Sequence, residues 1–243
     1  MPDTFEVMTT VDSRIEDPFP DCEEKKDFEK HLDAYYKKLM RCNVCWHILG
    51  CITEDREGYR CAAEKSPCFW NTAIYGIKMS LITDIVSFIS NDKESIINYL
   101  KKVEEQKDKI FPRRFFSIVR NIETGEVKEI DDTPRGSIDA VLRLCRIKLL
   151  SCKKELAVLR KARDKVYCHY DREAIEPQRK QQQEVFEAIS DTIIEDELRR
   201  IGEILNMLEA HYNNSRTVLE YTNIDDVKNT FTIMKNNKDV KFF

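Results

Sequence analysis

The chain has 243 residues, enough to bury one substantial hydrophobic core or at most two modest ones. Its 35% charged and 42% hydrophobic residues suit a globular protein with long solvated helices, and its 6 Gly and 7 Pro leave little material for the tight turns of a β-sandwich or barrel. The formal net charge of −4 argues against attraction of the whole surface to nucleic acid or to an anionic membrane.

Residues 1–26 are predicted to be an extended N-terminal arm, because they show no sustained hydrophobic period and contain Pro2, Pro18 and Pro20. They are acidic and lack the apolar core of a secretory signal. We therefore expect a cytoplasmic protein whose 9 Cys are reduced thiols rather than a disulfide framework.

A helical bundle is predicted over 27–212. Apolar residues of its first helix, 27–50, lie alternately four and three positions apart, which keeps one helix face apolar; they are Phe28, Leu32, Tyr35, Leu39, Cys42, Trp46 and Leu49. Residues 53–67 are predicted to be a polar connection that contains a short turn.

Two more helices are predicted before residue 110. The segment 68–90 is the most apolar of the chain, but Asn71, Lys78 and Asp84 interrupt it, so we expect a buried amphipathic helix and no membrane span. Its inward residues are Ile74, Ile77, Leu81, Ile85 and Phe88. The next helix, 92–106, is expected to be capped by Asn91 or Asp92 and to turn inward Ile96, Ile97, Leu100 and Val103.

The region 111–136 breaks the helical pattern. It has β-branched residues on both sides of Thr124 and Gly125, which is compatible with a small β-hairpin and equally with a long irregular loop. Both interpretations remain open from the sequence.

The longest helix is predicted to begin near Ile138. Its seam continues four and three apart through Leu142, Cys145, Leu149, Cys152, Leu156, Leu159, Arg163 and Val166. Because burying an unpaired guanidinium is very costly, Arg163 must meet a partner, or the seam must open there onto a cleft.

A further helix is predicted over 179–212, and the tail 213–243 has room for one short helix. The predicted fold class is all-α, a bundle of long antiparallel helices.

The motif "ARDKVYCHYD" places His169 six residues after Arg163. A histidine can move a proton near neutral pH, and an arginine can hold a phosphate with two hydrogen bonds. On a continuous helix the two side chains would point about 120° apart. They converge only if the helix ends near Cys168 or if two chains combine their residues. The alternative is a structural Arg163 bonded to a carboxylate, with His169 capping the helix near Asp171.

The motif resembles the R-x(4–6)-H signature of the HEPN superfamily of small all-helical proteins, many of which are prokaryotic ribonucleases. Its Arg-Asp-Lys and His-x-Asp pattern is similar to the AbiU-like abortive-infection branch, and the organisation of 70–212 resembles that branch's helices. The resemblance implies a metal-independent endoribonuclease without a cofactor, with a toxin or anti-phage role. It also implies a homodimer in which the two Arg-His pairs line one RNA cleft.

The site residues follow from this resemblance position by position. Arg163 would contact the scissile phosphate, His169 would act as general acid or base, and Asp164 would orient one of them. The residues expected to bind RNA beside them are Arg160, Lys161, Lys165, Tyr170 and Asp171. An antitoxin or sensor protein is a further expected partner, whose identity the sequence does not give.

The basic run around the motif allows two interpretations. Residues 143–165 contain nine Lys or Arg and two Asp or Glu, a local charge of +7, so the rest of the chain carries −11. Such a run is ordinarily a solvated helix face. Beside an active Arg-His pair, the same charges would steer RNA phosphates in a salt-sensitive way.

Two other functions stay open. The chain can be a HEPN-like bundle without catalysis that binds a partner or senses a nucleotide. It can also be a zinc-stabilised helical adaptor, since Cys42, Cys45, His47 and Cys51 lie close in sequence, with Cys61 and Cys68 downstream. However, Cys42 falls on the apolar stripe of a helix, where cysteine acts as a small hydrophobe.

Overall fold

The computed structural model describes residues 9–17, 19–90, 95–112, 114–121, 127–131, 137–151, 153–164, 189–214, 217 and 225–236. Within these ranges the helices are α1 (Glu23–Glu54), α2 (Arg56–Lys65), α3 (Pro67–Ile89), α4 (Ile96–Ile110), α5 (Ile138–Ser151), α6 (Lys153–Ala162), α7 (Asp191–Asn213) and α8 (Asp225–Asn236). The strands are β1 (Thr9–Glu16), β2 (Arg114–Asn121) and β3 (Val127–Asp131). The predicted mainly α-helical bundle is confirmed.

The predicted stripe of α1 faces the core. The first five residues of the stripe, from Phe28 to Cys42, are buried in the main core. Trp46 and Leu49 are half-buried and pack against that core. The helix begins at Glu23, so the predicted N-terminal arm ends earlier than residue 26. Lys25, in this first turn, is buried and forms an ion pair with Asp17. Each fully buried large side chain of the stripe contributes about 1.5–3 kcal/mol to folding.

The prediction of a polar connection over 53–67 is wrong, because α2 occupies most of it. Asp55 separates α1 from α2 and accepts a hydrogen bond at 3.0 Å from the backbone N–H of Gly58, as an N-cap does. Lys235 of α8 binds Asp55 at 2.8 Å. A Cβ on Gly58 would lie 2.7 Å from Cβ of Phe231, so only glycine lets α8 approach α2 this closely.

The short helix predicted in the tail is α8, and with α2 it encloses a small second core of Cys51, Ala62, Phe231 and Met234.

Helix α3 is divided into a buried and an exposed half. The C-terminal half contributes Leu81, Ile82, Ile85, Val86, Phe88 and Ile89 to the main core. The N-terminal half leaves Phe69 62% exposed, and Tyr75 and Met79 are exposed as well. By length and composition, α3 is the one described helix that could cross a membrane, and 33% of its most apolar stretch is buried inside the bundle. The predicted burial therefore holds for the second half of α3 only.

Helix α4 starts later than predicted. Ser95 caps it by accepting a hydrogen bond from the N–H of Asn98 at 3.3 Å, whereas Asn91 and Asp92, the predicted caps, lie outside the described residues. Three of the predicted inward residues, Ile96, Leu100 and Val103, are buried, and Ile97 is half-buried.

The hairpin interpretation of 111–136 is confirmed. Strand β2 pairs antiparallel with β3, from Phe116 opposite Asp131 to Arg120 opposite Val127. The expected turn at Thr124 and Gly125 lies outside the described residues. The N-terminal arm adds β1, which pairs antiparallel with β2, so the sheet order is β1-β2-β3.

Helices α5, α6 and α7 complete the main core. The predicted seam is buried at Leu142, Cys145, Leu149, Leu156 and Leu159. The α7 seam is buried from Ile194 to Leu208. The predicted helix start at 179 is wrong for this helix, since Ser190 is extended (φ −78, ψ 153) and caps α7 through the N–H of Ile193.

A hydrogen-bonded cluster fixes the C-terminal part of α7 to α1. The hydroxyl of Tyr36 donates to Glu209 at 2.8 Å and lies 3.0 Å from the amide oxygen of Asn206. The backbone N–H of Thr217 donates to the same two acceptors. Burial, followed by the bond to Glu209, raises the pKa of Tyr36, so its hydroxyl keeps its proton and remains a donor.

The orientation of α5 can be tested with two leucines. Leu142 is 1% exposed and Leu144 is 45% exposed on the same helix. We expect Leu142→Ala to lower the free energy of unfolding by about 2–5 kcal/mol, because it leaves a cavity in the core. Leu144→Ala, the matched control, should change it by less than about 0.5 kcal/mol. Denaturant unfolding of both variants measures the difference, and equal losses would contradict this packing of α5.

Candidate functional site

The predicted site begins where α6 ends. Leu156, Leu159 and Ala162 are buried, and α6 packs against α3. The α-helix stops at Ala162, and the next two residues, Arg163 and Asp164, are π-helical. Short π turns are frequent at functional sites, where they redirect side chains without ending the helix.

Arg163 lies at the edge of the core rather than inside it. Its side chain is 26% exposed, and that of Asp164 is 51% exposed. The guanidinium donates from Nε to Oδ1 of Asp164 at 2.7 Å. Arg163 therefore meets a carboxylate partner, which is the first of the two sequence-based alternatives, and the two residues assigned to phosphate contact and orientation touch each other. The cleft of the second alternative stays a prediction. A contact between such accessible groups adds at most about 1 kcal/mol to stability, so the ion pair orients Arg163 more than it stabilises the fold.

Four of the predicted site residues lie outside the described part of the chain. They are Lys165, His169, Tyr170 and Asp171. The distance between Arg163 and His169, and the angle between their side chains, therefore stay predictions.

Arg160 has a structural contact that the sequence did not indicate. Its Nη2 donates to the carbonyl oxygen of Ile89 at 2.9 Å. Ile89 is the last residue of α3, where carbonyl groups lack an intrahelical partner and the helix dipole favours a cation. Arg160 thus joins α6 to the end of α3 although it is exposed, as its neighbour Lys161 is.

Part of the basic run is neutralised within the bundle. Arg146 forms a two-pronged ion pair with Glu104 and donates from Nη1 at 2.9 Å. Lys148 binds Glu203 at 2.6 Å, and this hydrogen bond lowers the pKa of the Glu203 carboxyl. The local charge available to a ligand is therefore smaller than the composition suggests, because several of its cations already have acidic partners.

The cysteine group is divided between two cores. Helix α1 continues through the whole segment and places Cys42 in the main core, Cys51 in the second core and His47 at the surface. Burial raises the pKa of the Cys42 thiol to about 12, so it stays protonated at neutral pH and is a poor thiolate ligand. Within the described ranges, no three His, Cys, Asp or Glu residues are grouped in a way that could hold a metal ion.

A cavity that sequence analysis missed lies between the two cores. Its volume is about 680 Å³, and α1, α2, α3, α7 and α8 each contribute to its wall. Its apolar wall includes Trp46, Tyr59 and Ile194, and its charged lining includes Lys78 and Lys228 as well as Glu54, Asp191 and Glu195. A cavity of this size and mixed lining can hold a small amphipathic molecule. Its lining comes from helices that are far apart in sequence, so no local sequence signal pointed to it.

The function of the chain has to be argued from its own residues. Comparison with protein-family models, curated proteins and solved structures finds no match. Two features of the described residues bear on function: the arginine and carboxylate at the end of α6, and the cavity between the cores.

The contact between Arg160 and the Ile89 carbonyl can be tested by comparing the stability of two variants. We expect Arg160→Ala to lower the free energy of unfolding by about 1 kcal/mol, since the Ile89 carbonyl loses a charged donor. Lys161→Ala should change it by less than about 0.5 kcal/mol and serves as the control. Thermal and denaturant unfolding measure both effects. Equal stability of the two variants would mean that the Arg160 contact contributes nothing.

Proposed function

We propose that the chain is a metal-independent endoribonuclease of HEPN type that acts as a homodimer in a toxin or anti-phage abortive-infection role. The observation that supports this most is the placement of Arg163 at the end of a bundle helix, partly open to solvent and held by Asp164. A guanidinium that solvent can reach is able to contact a phosphate, whereas one enclosed in the core is not.

The proposed reaction uses the RNA itself as nucleophile. A histidine takes the proton of a ribose 2′-OH, and the oxygen attacks the adjacent phosphate. The bond from phosphorus to the 5′-oxygen of the next nucleotide breaks, and that oxygen takes up a proton. The products are a 2′,3′-cyclic phosphate and a 5′-hydroxyl. Arg163 offsets the charge that builds up on the phosphate oxygens in the transition state.

The homodimer supplies what one chain lacks. The reaction needs a base for the 2′-OH and an acid for the leaving oxygen, whereas the motif contains a single histidine, His169. Two chains that share one cleft bring two copies of His169 and two of Arg163. Lys161 is exposed beside the site and can contact the RNA backbone.

The catalytic assignment predicts the behaviour of two variants. Purified parent chain should cut total RNA in the presence of EDTA and leave 2′,3′-cyclic phosphate ends. Arg163→Ala and His169→Ala should each lose activity by about 10²-fold or more, because they remove charge stabilisation and proton transfer. Gel analysis and end-group mapping of the fragments measure both.

Two controls make this result decisive. Lys37→Ala removes an exposed lysine that is ion-paired on α1, and it should leave cleavage unchanged. Light scattering must show the same oligomeric state for the parent and for both site variants. If the parent is folded and dimeric but leaves RNA intact, the nuclease proposal is contradicted. Cleavage that survives both Arg163→Ala and His169→Ala would contradict it as well.

The cavity favours a second candidate function, a non-catalytic module that senses a nucleotide. Its aromatic wall suits a base, and Lys78 and Lys228 suit a phosphate. The carboxylates of Glu54, Asp191 and Glu195 in the same lining oppose a multiply charged one, so a monophosphate fits better than a triphosphate. A sensing module would bind its ligand in this cavity and needs no chemistry at Arg163.

Tryptophan fluorescence tests this second candidate. The chain has 2 Trp, so a Trp70→Phe variant leaves Trp46, which lines the cavity, as the reporter. Saturable quenching by ATP, GTP or the corresponding monophosphates is expected, together with binding that is about tenfold weaker in Lys228→Glu. Lys161→Glu, a charge reversal away from the cavity, is the control. Unchanged fluorescence with every nucleotide would leave the cavity without this role.

A further inference from the structure

The outer side of α5 carries an apolar stripe that no part of the described structure covers. Leu144, Ile147 and Leu150 are 45%, 53% and 57% exposed. They are spaced three residues apart on the helix and are therefore neighbours on its surface. Two exposed cations adjoin the stripe: Arg143 on α5 and Lys154 at the start of α6. We call these five residues the α5 outer face.

The cations of this face differ from the neighbouring ones. Arg146 and Lys148 form ion pairs with Glu104 and Glu203, at the sides of α5 that turn towards α4 and α7. Arg143 and Lys154 have no such pair with any described residue. Among the described residues from Ala140 to Ala162, no exposed one is acidic, since Glu155 is half-buried. The face therefore offers two cations, neither ion-paired with a described residue, around an exposed aliphatic centre.

We infer that the α5 outer face docks an acidic amphipathic helix of a partner protein. A row of aliphatic side chains along a straight helix matches a second helix whose apolar residues lie three and four positions apart. Carboxylates that flank this apolar stripe would reach Arg143 and Lys154. The inference does not depend on the proposed nuclease activity.

A second copy of the chain fits this face poorly. If two α5 helices packed antiparallel, Arg143 would approach Lys154 of the other copy. If they packed parallel, each cation would approach its own equivalent. Both arrangements place like charges together in a desolvated interface, which disfavours the pairing.

Nucleic acid and membranes also fit it less well. Single-stranded nucleic acid is held by aromatic stacking and by rows of cations, whereas the centre of this face is aliphatic. Sites that lie in a membrane interface favour aromatic residues, which the face lacks, and the chain's net charge of −4 opposes binding to anionic lipid.

A labelled peptide tests the inference on the full chain. The probe is a fluorescein-labelled helical peptide of about 20 residues, with leucines three and four positions apart and glutamates flanking them. Fluorescence anisotropy should show saturable binding to the parent. Binding should be at least about tenfold weaker in Ile147→Glu, because the charge falls in the centre of the apolar contact.

Matched variants separate this site from the rest of the surface. Ile233 on α8 is also 53% exposed, so Ile233→Glu should bind the peptide as the parent does. The double variant Arg143→Glu, Lys154→Glu should lose the acidic peptide and bind a version with lysines in place of the glutamates. Arg163→Ala should keep peptide binding, and Ile147→Glu should keep RNA cleavage, so failure of one proposal is distinguishable from failure of the other.

Four results would overturn the inference. They are no peptide binding by the parent, equal binding by Ile147→Glu, a parent dimer that Ile147→Glu converts to monomers, and binding to vesicles with anionic lipid that Ile147→Glu abolishes. The third would assign the face to a second copy, and the fourth to a membrane.

Discussion

The burial of the last turns of α3 sets the position of α6 and, through it, of Arg163. Ile85, Val86 and Phe88 have no exposed surface, and Ile89 follows them as the final residue of the helix. A helix that ends inside a core leaves carbonyl groups in need of donors. Arg160 meets that need at Ile89, which fixes α6 on the end of α3. Arg163 comes three residues later, about 4.5 Å further along the axis, so its place at the core edge follows from the same contact.

This contact also shows why the basic run is a poor guide to function by itself. A count of charges treats Arg146, Lys148 and Arg160 as free to attract RNA, whereas each has a partner in the bundle. Folding uses these cations to join α5 and α6 to α4, α7 and α3. Only the remaining ones, among them Lys161, keep their charge available to a ligand. Pairing, which depends on tertiary structure, separates structural cations from functional ones.

The sequence predicted the long helices well because their apolar seams repeat over many turns, and each buried residue adds to the same signal. It failed where a single residue decides the outcome. Asp55 starts a new helix within a polar stretch, and Gly58 admits α8 through the absence of a side chain. Ser190 interrupts a pattern that is otherwise helical. Of the candidate site, a partner for Arg163 was one of two stated alternatives, but the role of Arg160 depends on Ile89, seventy-one residues away, and leaves no local pattern.

The two proposed activities of α5 and α6 can coexist on one chain. Lys154 and Arg163 are nine residues apart, and nine residues turn an α-helix by about two and a half turns. They therefore point to opposite sides of α6, and Arg160, about 60° from Arg163, shows that the arginine side is the one next to α3. A partner helix on the α5 outer face would leave the Arg163 side open to RNA. Control of the proposed nuclease by such a partner would then act through its position or its dimerisation, because a helix docked on that side does not face Arg163.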